Sequence, residues 1–549
     1  MDGLSVLSSF ISISIQEKIN GNSSRYKVLL RQLGQDVSEG DSVTLARWFQ
    51  ALTYSVSSLS QECHEVVNLV VSVNPSVCYD DYFDFVENLV SAHPYYAVPC
   101  VSNLVGMMKS DVENLHDIIA AIVEIVPMSA SHLLKNVNKK FPFNKEDKQV
   151  QMNYFGNVFK LMGYVPVLRN SLMEIVVTKL LQIDVEIQVE IDELDEEELE
   201  KVQEAVLKGG DEQDEVDEGD EDEDEKQIEK RNEIVEKEID SDSDEEVDDE
   251  DDEDEVEEQI SDIKASIETL DSLMKLTFEN VKEIMEKEED KEMFLVFMSI
   301  FEKTILRTFN SRYVQFIFFY VTSLDSKYHD IFLGMLMSKL FNNRSVILCD
   351  PIRISCAGYI GSFIARGLFL SDKLISKCFS MLISWAVQYV DNVQDVNKIE
   401  DHSLFYCIVQ ALLYIFCFRY ELLMNETNKE LLEKVLFSSL EPLLVCVESV
   451  TEEFIDVCSH LNFIFCRHLV EKKERSHLSI LDSFFPFDPY KLKESSLFLD
   501  PLNIYKEYTS INDEVEQEDN TIYDSPSQES TSSITNHLNS LWQQNITVN

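Results

Sequence analysis

Glycine and proline are scarce in this chain, 14 and 12 among 549 residues, or under half of the roughly 12% in ordinary usage. That excludes turn-dense sandwiches, barrels and glycine-loop nucleotide folds, and favours long helices. Positive charge is short as well. Against 46 Lys and Arg stand 102 Asp and Glu, a formal net charge of −56, which disfavours general binding to nucleic acid or anionic membranes through bulk electrostatics. The eleven cysteines form no Cys-x-x-Cys pair and mostly sit inside apolar helical patterns, as reduced thiols of the cytosol or nucleus do. Met1-Asp2-Gly3-Leu4 has no positive region ahead of its apolar stretch, so no signal peptide is expected. The longest uncharged apolar run, Leu404 to Phe418, has fifteen residues against the about 20 that span a bilayer, and predicts a buried core helix. No Gly-x-Ser-x-Gly elbow, His-Glu-x-x-His helix or kinase signature is present, so no enzyme and no cofactor is expected.

What the chain does contain is 44% hydrophobic residues and 10% aromatics, enough for a large core. Apolar positions recur at helical spacing, as in Leu172, Ile175, Val176 and Lys179, or Tyr313, Phe316, Ile317, Tyr320 and Leu324. Helices are predicted near 42–60, 80–91, 97–108, 111–126 and 149–163, then near 352–370, 373–390, 403–424, 429–447 and 451–472. Helix after helix with short connections predicts an all-α, HEAT-repeat-like α-solenoid. Val185, Ile187, Val189 and Ile191 alternate with polar residues, the pattern of a short extended segment or of a helix end.

One segment stands apart. Residues 192–258 hold 39 Asp and Glu against 6 Lys and Arg, a net of −33, leaving −23 for the rest. Such a segment buries too little apolar surface to order itself. The expected organisation is N-terminal helical repeats over 1–190, a disordered acidic loop over 191–259 and C-terminal helical repeats over 260–472. An aromatic and proline clamp follows over 473–510, then a disordered tail over 511–549.

Gly358, Gly361 and Gly367 lack a following Gly-Lys-Ser/Thr, and Ala357, Gly361 and Ala365 read as a small-residue packing stripe. Cys458, His460, Cys466 and His468 invite a zinc site, but they fall on one continuous helical pattern, Phe454 to Leu469, and read as core cysteines with partly exposed histidines. Cys63-His64 is an isolated pair. Basic residues outside the acidic segment are scattered; Arg353, Arg366 and Lys373 bracket the small-residue helix as a candidate partner or phosphate contact, with solvated helix ends as the plainer alternative. Ser241 and Ser243 each carry acids at +1 and +3, the pattern of an acidophilic kinase, and Ser525-Pro526 reads as a proline-directed site.

Several stretches then go beyond pattern. They are Leu481-Asp-Ser-Phe-Phe-Pro-Phe-Asp-Pro-Tyr490 with Phe498-Leu-Asp-Pro501, Arg353-Ile-Ser-Cys-Ala-Gly-Tyr-Ile-Gly-Ser-Phe-Ile-Ala-Arg366, Tyr313 to Tyr320 with Ser323-Leu-Asp325, Cys407 to Arg419, and Tyr164 to Val185. In this order, around an acidic insertion, they resemble the RNA polymerase I-specific transcription initiation factor family, also called TIF-IA. The resemblance covers about 150–510, with Gly361, Phe485, Pro486, Phe487, Asp488 and Pro489 as structural motif residues. It implies a non-catalytic HEAT superhelix in the nucleus and nucleolus. Such a factor binds RNA polymerase I near its stalk and dock, bridges it to a promoter-bound core or selectivity factor, and is switched by phosphorylation. It also implies a possible homodimer of the free protein, no membrane partner, and no dominant direct DNA contact. The tail is shorter than in animal members of the family. Ser55, Ser57, Ser58 and Ser60 form a serine cluster that reads as helix-loop surface, and the family's serine-rich contact surface has no residue-by-residue match. An acidic histone or basic-protein chaperone, or another HEAT-type nuclear adaptor, is the alternative function.

Overall fold

The computed structural model describes residues 3–112, 114–194, 249–287, 291–308, 311–341, 350–393, 398–471, 473–481 and 485–508. Among them the regular structure is helical, 19 α-helices with short 3-10 turns between them. No strand occurs among the described residues, which hold one isolated antiparallel bridge, between Gly367 and Tyr505. The chain divides into two compact units, Met1–Val185 with Leu270–Asn549, and Glu186–Thr269.

The first five helices are α1 (Gly3–Ile19), α2 (Ser24–Glu39), α3 (Ser42–Thr53), α4 (His64–Val71) and α5 (Tyr79–Ala92). Then come α6 (Ala97–Met107), α7 (Leu115–Ile125), α8 (Ser129–Lys139), α9 (Lys148–Tyr164) and α10 (Arg169–Asp192). α5 shows why these segments are helices: Tyr82, Phe85, Val86, Leu89 and Val90 are all buried at i, i+3, i+4, i+7 and i+8. Starts and stops are written locally. Asp41 and Asp147 cap α3 and α9 through their side chains, and Gly40 ends α2 in the left-handed region. Proline opens the short 3-10 turns at Pro75, Pro94 and Pro166. Packing runs to near neighbours along the chain, α3 against α5, α4 against α6, α5 against α7 and α6 against α8. This is the nearest-neighbour contact pattern of an α-solenoid.

The later helices are α11 (Asp249–Lys287), α12 (Lys291–Lys303), α13 (Phe316–Ser323), α14 (Ser326–Phe341) and α15 (Asp350–Arg366). The last four are α16 (Asp372–Asn392), α17 (Ser403–Leu423), α18 (Glu426–Leu436) and α19 (Glu448–His460). α17 is the core helix foreseen at Leu404–Phe418: every residue from Phe405 to Phe418 is buried, against α15, α16 and α19. It passes a length-and-composition test for a membrane span, yet 78% of that window is buried inside the protein. Ala357, Gly361 and Ala365 on α15 are buried, as is every residue from Cys356 to Gly367, and α15 packs against α17. The second compact unit, Glu186–Thr269, contains the last turns of α10 and the first half of α11.

Of the two readings open for Val185–Ile191, the structure takes the helix end: α10 runs through it. Ile187, Gln188 and Ile191 are buried while Val189 is 43% exposed, so the helical period governs although the letters alternate. The helix expected over 429–447 ends at Leu436, because Glu441 adopts a left-handed conformation and Pro442 opens a 3-10 turn. The one expected over 451–472 ends at His460. There Asn462, at φ 52°, turns the chain and Phe463 N–H returns to the Cys458 carbonyl at 2.9 Å, a Schellman-type stop.

Candidate interaction site and the C-terminal clamp

The clamp motif is where the sequence expectations converge. Residues 473–508 carry no long helix, so their backbone groups must find partners elsewhere. They find them on the C-terminal helices. Arg366, the last residue of α15, is 3% exposed. Its guanidinium donates to an Asp488 carboxylate oxygen, to the Lys506 carbonyl at 3.0 Å and to the Tyr414 hydroxyl at 3.2 Å. That hydroxyl donates in turn to Asp488 Oδ2 at 2.7 Å. The Arg366 plane lies over Phe418 and Tyr505, 4.5 and 5.3 Å from the ring centres. Around Gly367 the backbone pairs with the incoming segment: Lys506 N–H donates to the Arg366 carbonyl at 2.6 Å and Leu368 N–H to the Ile504 carbonyl at 3.0 Å. A Cβ on Gly367 would stand 2.9 Å from the Phe363 carbonyl oxygen, so this residue serves a close backbone approach, not a nucleotide.

Phe487 is fully buried, with its ring 5.0–5.5 Å from those of Phe319, Phe316 and Tyr359. Phe485 is half-buried against Tyr414 at 4.8 Å. The Pro486 carbonyl accepts from Gln315 Nε2 at 2.7 Å, and the Tyr505 hydroxyl donates to the Phe487 carbonyl at 2.9 Å. Pro489 follows Asp488, half-buried. Gln410, the polar break in the apolar run, is fully buried; its amide donates to the Leu481 carbonyl at 3.0 Å and accepts from Val447 N–H at 2.9 Å. Phe484 lies outside the described residues.

The three cations offered as a partner contact do not form one surface. Arg366 is interior and its donors are taken, a correction whose physical reason is the Asp488 carboxylate set against it. Arg353 is half-buried and donates to the Leu340 carbonyl at 2.9 Å. Lys373 is exposed on the first turn of α16. Ser241, Ser243 and Ser525 lie outside the described residues. Ser55 is buried, its hydroxyl 3.0 Å from that of Ser12, while Ser57 and Ser58 are exposed.

The other chemical candidates resolve as well. Cys458 and Cys466 are buried and their thiols are pushed up by burial, Cys466 to about 11. The continuous helix assumed for them is broken after His460, and the His468 ring stacks on Phe437 at 5.8 Å. Among the described residues no group of three or more such side chains is placed to hold a metal ion. Cys63 is buried with its pKa raised by burial, and His64 turns to the Gln61 carbonyl at 3.2 Å.

Two buried carboxylates escaped the sequence reading. Asp184 Oδ2 accepts from the backbone N–H groups of Arg312, Tyr313 and Val314 at 2.8–3.0 Å. Burial outweighs these donors and pushes its pKa up to about 6. Asp271 accepts from the N–H groups of Glu494 and Ser495 at 2.8 and 2.9 Å. The signal for both was a lone aspartate inside an apolar helical stripe, which stays buried only when it has donors.

Single apolar side chains are exposed at several turns: Tyr54 (76%), Met128 (84%) and Val167 (77%) stand at turns leaving α3, α7 and α9. The turns after α3 and α5 are joined, with His93 Nε2 2.9 Å from the Val56 carbonyl and the Tyr96 hydroxyl donating to the Ser60 backbone carbonyl at 2.6 Å. Apolar side chains held on fixed turns suit contact with another protein.

Comparison with known proteins gives a consistent answer. Residues 3–513 match the profile of the family described as "RNA polymerase I specific transcription initiation factor RRN3". The RNA polymerase I-specific transcription initiation factor rrn3 of Schizosaccharomyces pombe is 30% identical, over 95% of this chain and 90% of its own length. RRN3 of Mus musculus is 26% identical, over 88% of this chain and 78% of its own. A crystal structure of the RNA polymerase I transcription initiation factor Rrn3 superposes with a TM-score of 0.69 at 20% identity, covering 92% of this chain and 99% of that one.

Proposed function

The chain belongs to the RNA polymerase I specific transcription initiation factor RRN3 family, and from that premise we propose that it acts as an initiation factor that binds RNA polymerase I and makes it competent to start at ribosomal RNA genes. The observation that carries this reading is the match over residues 3–513, which takes in both helical blocks and the clamp. In this reading the helical array is a rigid adaptor: one surface meets the polymerase at its stalk and dock, another a promoter-bound core or selectivity factor, and the exposed apolar turns supply contact area. Phosphorylation at Ser241, Ser243 or Ser525 adds about −1.5 to −2 charge per site and regulates binding. The free protein forms a homodimer that separates before docking, and the site of action is the nucleolus. No step in this role needs catalysis.

Co-purification tests it. Tagged chain, recovered with and without phosphatase treatment, brings down RNA polymerase I in at least one of the two states; absence from both refutes the proposal. The acidic segment, at −33 over 192–258, favours a second reading as a chaperone of histones or other basic proteins. Deleting 211–258 separates the two, since a chaperone loses its main ligand while the initiation factor keeps the polymerase.

A further inference from the structure

One short stretch of this acidic chain is locally basic. In the stretch His132–Lys148 there are five lysines and two carboxylates, a formal +3 in a chain of −56. Both carboxylates are engaged: Glu146 by Lys109 Nζ at 2.7 Å and by Phe143 N–H at 3.3 Å, Asp147 by the N–H groups it caps on α9. Lys140 is also occupied, donating to the Ser102 carbonyl. Lys135, Lys139 and Lys148 are exposed and make no ion pair among the described residues. Lys135 and Lys139 lie one turn apart on the solvent side of α8, opposite the buried stripe of Ala130, Leu133 and Val137. Between Lys139 and Lys148 the turn places two phenylalanines in opposite settings. Phe141 packs on Tyr154 and Phe155 at 4.8 and 5.0 Å, whereas Phe143 is 80% exposed.

We infer that the solvent face of α8 with the α8–α9 turn is a docking site for an acidic peptide of a partner protein, one that also carries an apolar side chain to cover Phe143. Charge complementarity selects the occupant. Screening confines each field to about 8 Å at physiological salt, so an approaching ligand senses this local positive face and not the net charge of the whole chain. Three free lysines fall short of the roughly 6–10 phosphate contacts by which proteins hold duplex DNA, and Phe143 supplies the apolar anchor that peptide recognition uses and a phosphate backbone does not. A solvated helix face would explain the lysines alone, but not the exposed phenylalanine between them.

The test titrates the full chain into a fluorescein-labelled short peptide of Asp and Glu around one central Phe, read by anisotropy at about 0.15 M salt. Saturable binding is expected. It is weakened roughly ten-fold or more by Lys135→Glu with Lys139→Glu and to a smaller degree by Lys135→Gln with Lys139→Gln, with helical circular dichroism unchanged. Phe143→Ser also weakens it. Absence of saturable binding, or binding untouched by these variants, overturns the inference. Tighter binding of a short DNA duplex that is lost in the same variants also overturns it, by giving the surface to nucleic acid. No polymerase enters the assay, so either failure leaves the polymerase proposal standing on its own test.

Discussion

Asp488→Ala removes the only carboxylate facing the guanidinium of Arg366 in the contacts described above, while leaving that cation 3% exposed. Breaking one side of a buried ion pair costs about 3–5 kcal/mol because the remaining charge stays buried. Here the Asp488 side chain is 21% exposed, so water already shares its field and the expected cost sits near about 3 kcal/mol. At 1.4 kcal/mol per decade this is roughly a hundred-fold increase in opening of the clamp. The assay is native-state hydrogen exchange at the Leu368 and Lys506 amides, whose hydrogen bonds to Ile504 and Arg366 close only when the segment is docked. Asp488→Asn keeps an acceptor and is expected to lose less. Arg366→Met combined with Asp488→Leu removes both charges and is expected to recover most of the protection, since apolar replacement of a buried pair is often near neutral. Exchange of those two amides at parent rates in Asp488→Ala would refute the reasoning, as would simple additivity in the double variant.

The two clamp phenylalanines are expected to behave unequally. Phe487→Ala, in a fully buried ring cluster, costs about 3–5 kcal/mol, and Phe485→Ala, at a half-buried ring, costs less; equal losses in protease resistance of the C-terminal region would contradict the packing described here. Asp184 makes a pH prediction of definite sign. Its folded pKa, about 6, lies above the ordinary carboxyl value. Its contribution is therefore fully present below the unfolded pKa and is lost as pH rises through about 6, by up to about 3 kcal/mol. Measured against Asp184→Asn by denaturant unfolding between pH 5 and pH 8 (a range set by about 6 ± about one to two units), the stability difference changes in favour of the variant as pH rises; a flat difference would remove the carboxyl from the account.

Much of this fold is legible in the letters because helical periodicity survives in them. The buried faces of α5 and α17 can be read from apolar spacing alone. The stops are harder, since they depend on single backbone conformations. Glu441 and Asn462 both adopt positive φ, and the only signals in the letters are the proline after Glu441 and the asparagine itself. At Val185–Ile191 two periods fit the same letters, and only burial of Ile187 and Ile191 with exposure of Val189 decides. The clamp was visible as a motif, but its chemistry was not. Arg366 reads as a surface cation until Asp488, 122 residues later, is seen against it. The lysines around Phe143 escaped for the converse reason, because their neighbours along the chain include acids that the fold spends on caps and on Lys109.

The polar residues embedded in otherwise apolar helices share one role, and it ties the clamp to the core. An irregular segment cannot satisfy its own backbone groups, and where it is buried those groups cost free energy unless a side chain meets them. Gln410 meets Leu481 and Val447, Gln315 meets Pro486, Arg366 meets Lys506, and Asp271 meets Glu494 and Ser495. Lys506 completes the exchange by donating to the Phe418 carbonyl at 2.8 Å, near the end of α17. In a stacked helical array each helix is covered by its neighbours on only some of its sides, yet α17 is buried along fourteen consecutive residues from Phe405 to Phe418. Residues 479–481 and 485–508 supply cover that no other helix among the described residues provides. Its address is written in the helices it covers, as single polar residues whose burial would be unfavourable without it.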